Sequence, residues 1–171
     1  EGGDCLKLAL KHDGPSYIRL GKNGEPDLSQ YIVNEKSGTK IYCHDEKDSD
    51  LIIFTYGAIT YECIKASILL EEEGFKISVC SVIQVKPLPE SMLEICCQHN
   101  NILSVEEHST YHSVGSSLLK QVVERGYQGN FKIFGIEDKF TEVVGSRDFL
   151  LKHHGIDGDS LAKRIKLELK I

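Results

Sequence analysis

Nowhere does this chain of 171 residues approach the roughly 20 consecutive apolar residues that a membrane-spanning helix needs, and it shows no secretory leader. A soluble, cytoplasmic protein with no membrane partner is expected. Basic tracts are equally absent. The net charge is -6, and phosphate neutralisation needs clustered Lys and Arg, so nucleic acid is not expected as a primary partner. Neither GxGxxG nor Walker text occurs, and no internal repeat or low-complexity tract is visible. What remains is a chain with 40% hydrophobic residues, enough for a real core in one domain with an appendage.

Cysteine is present without the marks of a disulfide scaffold. Cys63 and Cys80, two of the six, fall on inferred core faces, where a reduced thiol packs as a small apolar group. A reducing compartment is therefore favoured. Cys96–Cys97–Gln98–His99 looks metal-like, but neighbouring side chains on a helix point about 100° apart and no second ligand pair follows, so no metal site is expected.

The centre of the sequence is Asp50–Ser81. Leu51–Phe54 and Lys76–Ser81 read as strands, one a short apolar run and the other alternating. Between them Ile59, Cys63, Ala66 and Leu70 share one helix face, and Gly74 marks the helix stop. Two parallel strands joined by a right-handed crossover are expected. The pattern continues with a helix at Glu90–His99, a strand at Ile102–Val105, a helix at Ser113–Arg125 and a strand at Phe131–Gly135. Such alternation predicts an α/β sheet covered on both faces. Upstream, Asp4–Lys11 reads as a helix and Ser16–Leu20 as a strand, too little to bury a core alone. Asn23–Ser37 reads as linker, and Lys40–His44 as an edge strand opening the main domain, with the boundary near Gly38. Leu161, Ile165, Leu167 and Leu169 of the final helix are expected in a core or an interface, and His153–His154 as a helix C-terminal cap.

Several stretches carry a family resemblance. GPSYIRLGK at Gly14–Lys22 resembles the end of the pyrimidine-binding domain of the transketolase family. DLIIFTYG, ECIKASILLEEEGFKISVCSV, ILSVEEH, FGIEDKF and the closing KHHGIDGDSLAKRIKLELK then follow in the order of that family's C-terminal domain. The resemblance implies residues 1–22 as the tail of the pyrimidine domain, 23–38 as linker and 39–171 as the C-terminal domain. It also implies a three-layer α/β/α fold with a mixed, mostly parallel five-stranded sheet, Lys40–His44 being the candidate antiparallel strand. The loop after the Glu106–Glu107–His108 strand end departs from the family's paired glycines. Gly115 alone keeps the pattern, which puts a close backbone approach there in question.

The implied chemistry is ketol transfer between sugar phosphates, as in the pentose phosphate pathway, using thiamine diphosphate and magnesium. Those cofactors would be bound by upstream regions, since no Gly-Asp-Gly…Asn-Asn signature occurs here. No cofactor-binding residue is expected in this chain, which should be inert alone. Deoxyxylulose phosphate synthase and the β subunits of 2-oxoacid dehydrogenases are sister readings, and a non-catalytic dimerisation or docking module is the alternative. A homodimer or an N-terminal companion section is the implied partner. Arg19 resembles the arginine that grips a sugar phosphate, and a fork of donors suits that dianion. An ion pair with the preceding domain, or with Glu1 or Asp4, is the other reading of Arg19. Glu107 and His108, at the end of an inferred parallel strand, are candidates for proton transfer with His112 nearby. A Glu107–His108 ion pair in an ordinary loop is their bland counterpart.

Overall fold

The structure, a computed structural model, describes residues 1–21 and 24–169, the last by its backbone alone. Lys22, Asn23 and the expected core position of the Leu169 side chain lie outside the described residues.

The central strand–helix–strand reading is realised as β3 (Leu51–Thr55), α2 (Thr60–Glu71) and β4 (Ile77–Val82), with β3 and β4 parallel and Ile53 opposite Val79. α3 (Glu90–Cys97), β5 (Asn101–Ser109), α4 (Val114–Glu124) and β6 (Asn130–Ile136) continue the alternation. α5 (Arg147–His153) and α6 (Gly158–Leu169) complete it. Successive side chains of a strand point to opposite faces, and here both faces are dry. Leu51, Ile53, Ile77, Val79 and Leu103 pack under α2, α5 and α6. Ile52, Phe54, Cys80, Val82 and Ile102 pack under α3 and α4. The result is three layers, α/β/α.

The sheet has six strands rather than the expected five, because β1 (Ile32–Lys36) forms inside the stretch read as linker. Charge and Pro26 disguise it in the sequence. What makes it a strand is the turn at Gly38, whose φ of 77° suits glycine and brings β1 back along β2 (Thr39–Tyr42). The strand order is β1-β2-β4-β3-β5-β6, and β2 alone runs against the rest, antiparallel to both β1 and β4. The antiparallel expectation for Lys40–His44 therefore holds, shifted to Thr39–Tyr42, but this is not an edge strand, because β1 pairs along its outer side. Ser16–Leu20 is not a strand. Tyr17 and Leu20 are exposed, and the segment pairs with no strand of the sheet among the described residues. α1 (Gly2–Lys11) buries no residue of its own and is held through Asp4 to Lys40 (2.8 Å), Glu1 to the Tyr42 hydroxyl (2.8 Å) and Cys5 to the Ile83 carbonyl. Leu161 and Ile165 are core, whereas Leu167 is 80% exposed because it falls on the outer face of α6.

All six cysteines are free. Burial pushes the Cys63 thiol up to about 12, and those of Cys80 and Cys96 up as well, so these thiols stay neutral and inert.

Candidate functional site

Open α/β sheets present ligands at the carboxyl ends of their parallel strands. Here that edge is formed by Tyr56 after β3, Glu106–Ser109 of β5 and the loop that leads into α4. The pairing of Phe54 with Ser104 carries Tyr56 and Glu106 toward the same face, two residues further on.

Glu106 is 1% exposed, and every oxygen of its carboxylate is occupied. Oε2 accepts from the Val114 N–H at 2.9 Å, and Oε1 from the Gly115 N–H at 2.6 Å and the Ser104 hydroxyl at 3.1 Å. A carboxylate at a helix N-terminus satisfies orphan donors and suits the helix dipole. Ser113 adds its own cap, accepting from the Ser116 N–H at 3.1 Å. The donors that open α4 are thus taken by the protein itself and are not offered to an anion. Gly115 does make the close approach in question. A Cβ there would lie 2.4 Å from Ser104 Oγ and 2.8 Å from Glu106 Oε1. Gly115→Ala is expected to cost about 1–3 kcal/mol by overpacking, read as a lowered thermal midpoint, and an unchanged midpoint would rule this packing out.

Glu107 points the other way. Its carboxylate takes a two-pronged bond from Arg147 at the start of α5, Nε to Oε1 at 3.0 Å and Nη2 to Oε2 at 2.7 Å. The Arg147 pKa is raised, first by this bond and against the cost of burial. Glu107 therefore pairs with Arg147 rather than His108, an outcome hidden in the sequence because the partners are forty residues apart. His108 is exposed, with Nδ1 3.1 Å from the Ser109 carbonyl oxygen. His112 is exposed too, at a left-handed φ of 55°. Among the described residues no three His, Cys, Asp or Glu side chains gather to hold a metal, at this loop or at Cys96–His99.

Tyr56 was not singled out by sequence. Its hydroxyl pKa is pushed well up, first by burial and then by the Glu106 carboxylate, while the Arg19 guanidinium acts in the opposite direction. Arg19 is exposed and has no carboxylate partner among the described residues. Glu1 and Asp4, the acids suspected of pairing with it, are bound to Tyr42, and to Lys40 and Lys7. Tyr56 and Glu106 thus meet at one edge. The only signal for Glu106 and Tyr56 was strand register, a carboxylate and a phenol in line with core positions.

Two further buried acids escaped the sequence reading. Glu62 on α2 is 5% exposed and caps α6, accepting from the Gly158 N–H at 2.8 Å. Glu46, in the 3-10 turn Glu46–Asp48, is fully buried and pairs with Lys36 of β1. The His153–His154 pair lies at the C-terminus of α5 as expected. His153 stacks on Phe149 and His154 Nε2 is 3.1 Å from the Thr141 hydroxyl.

Comparison with known proteins agrees with this architecture. The family described as "Transketolase, C-terminal domain" matches residues 42–161. An apulose-4-phosphate transketolase subunit of Actinobacillus succinogenes is 29% identical over 91% of this chain and 50% of its own length. 1-Deoxy-D-xylulose-5-phosphate synthase of Parabacteroides distasonis is 35% identical over 91% of this chain and 25% of its own. A split-gene transketolase solved as an inactive beta4 tetramer superposes with a TM-score of 0.79 at 26% identity, covering 96% of this chain and 53% of that one. The chain spans about half the length of the subunit-sized relatives it matches. With a mixed six-stranded sheet, one reversed strand and a family match over most of its length, the chain belongs to the transketolase C-terminal-domain family.

Proposed function

We propose that this chain is the C-terminal section of a thiamine diphosphate- and magnesium-dependent transketolase-like enzyme that moves a two-carbon ketol unit between sugar phosphates. Its own part is assembly with a companion N-terminal section and provision of one edge of the substrate channel. Residues 1–22 would then be the end of a pyrimidine-binding domain.

The residues here do not fit the cofactor. Glu106, the buried carboxylate of the strand-end edge, has its oxygens taken by Val114, Gly115 and Ser104, so it is not available to an aminopyrimidine. Thiamine diphosphate and magnesium belong to other parts of the assembled enzyme.

The observation that carries the proposal is Arg19, an exposed guanidinium without a carboxylate partner among the described residues, whose charge opposes the upward shift of the Tyr56 hydroxyl after β3. A planar fork of donors with no internal counter-charge is suited to a phosphate dianion. The test is a ketol-transfer assay of this chain joined to its upstream section, with thiamine diphosphate, magnesium and paired sugars. Arg19→Ala is expected to raise KM for phosphorylated sugars about 10- to 100-fold, the scale of one charge-assisted contact, and to leave KM for unphosphorylated sugars alone. Equal effects on both would remove the phosphate role.

A second reading, in which the section only assembles, draws on the split-gene transketolase solved as an inactive beta4 tetramer. By that likeness the isolated chain would self-associate without turnover. Ketol transfer by the isolated chain above the buffer rate would overturn that expectation.

A further inference from the structure

His99 stands two residues past the end of α3 and is partly buried. Its two ring nitrogens face two backbone carbonyl oxygens. Nδ1 lies 2.7 Å from the Ile95 oxygen, one turn back in α3, and Nε2 makes a short contact to the Glu46 oxygen in the turn between β2 and β3. A carbonyl oxygen only accepts, so each contact needs an N–H on the ring. Neutral imidazole has one N–H and one lone pair, and only imidazolium supplies both donors.

We propose that His99 is a proton-dependent strut, whose imidazolium ties the end of α3 to the turn that carries Glu46 and whose deprotonation lets that turn go. Removing the proton on Nδ1 puts a lone pair against the Ile95 oxygen. That oxygen keeps the Gln98 N–H at 3.1 Å, so α3 loses little when the ring turns away. The Nε2–H that remains reaches the Glu46 carbonyl only while the ring stays seated, and that carbonyl accepts no other bond among the described residues, so the turn loses its tether when the lone pair drives the ring off the Ile95 oxygen. The device acts on the segment that seats the Glu46–Lys36 pair, and it is independent of the ketol-transfer reading.

The charges around the ring are answered by others. Lys36 from β1 meets the Glu46 carboxylate, Lys76 meets Asp48 on the turn, and Arg125 meets Glu90 on α3. Asp45 accepts from the Lys47 N–H. The thiols of Cys80 on β4 and Cys96 on α3 are kept neutral by burial. Glu35 of β1 meets Lys40, and Glu94 and Cys97 on α3 and the Lys47 ammonium are the remaining titratable groups of these elements.

The test is the ring nitrogen spectrum of the full chain labelled with 15N-histidine, followed from about pH 5 to about pH 9. His99→Gln identifies the signal among the seven histidines. Both His99 nitrogens are expected to read as protonated wherever the two contacts are made. As the neutral ring appears, amide exchange at Lys47 and Asp48, corrected for base catalysis, should rise about 10-fold, the scale of one charged hydrogen bond. That step should be missing from His99→Gln. A ring nitrogen that reads as a bare acceptor throughout, or an identical step in the variant, overturns the proposal. If the variant does not fold, the wild-type ring spectrum, assigned through its proximity to Ile95, still decides.

Discussion

Replacing Lys36 by Met is expected to destabilise the fold by about 3–5 kcal/mol, the scale seen when one partner of a buried ion pair is removed. Lys36 reaches the Glu46 carboxylate from β1 with its side chain 31% exposed, whereas that of Glu46 is 0% exposed. Nothing else hydrogen-bonds the Glu46 carboxylate among the described residues, so its charge would be stranded beneath the sheet. The double change Lys36→Met with Glu46→Leu should recover most of the loss, because two apolar groups of similar size need no mutual charge. Urea unfolding measures both. A single variant with an unchanged midpoint would mean that Glu46 is not compensated by Lys36. The result also bears on topology, since this pair fastens the extra edge strand to the body of the domain.

Glu106→Leu is the second large effect, expected at about 3–4 kcal/mol. Charge-assisted hydrogen bonds contribute about 1.5–3 kcal/mol each and do not add fully. The change removes the acceptor for the Val114 and Gly115 N–H groups and for the Ser104 hydroxyl, all close to the start of α4. Glu106→Gln keeps one acceptor oxygen and should lose roughly half as much, with faster amide exchange concentrated at Val114 and Gly115. If Glu106→Leu unfolds at the wild-type urea concentration, the carboxylate is not the cap of α4. A variant that stays folded yet lowers turnover of the assembled enzyme would instead give Glu106 a direct role at the edge.

The charge arrangement at the strand ends separates structural acids from exposed groups. Glu106 faces inward and is consumed by α4, and Glu107 faces outward and is consumed by Arg147. Adjacent residues of a strand point to opposite faces, so these two glutamates were bound to have different fates. His108 next to them keeps its ring exposed.

Sequence by itself determined the α/β class, the core faces of α2, β3 and β4, and the family resemblance. These depend on periodicity and on the order of local motifs, which are written residue by residue along the chain. It also placed the reversed strand at Lys40–His44, within a residue or two of Thr39–Tyr42. Tertiary structure alone decided that Ile32–Lys36 would pair at the sheet edge and that Ser16–Leu20 would not, because strand formation needs a neighbouring edge, which no local pattern announces. It likewise decided the partners of the acids: Glu46 with Lys36, Glu62 with Gly158, Glu106 with Val114 and Gly115, and Glu107 with Arg147. A carboxylate reads the same in sequence whether it is solvated, paired or capping a helix, and only the fold brings to it the donor that fixes its role.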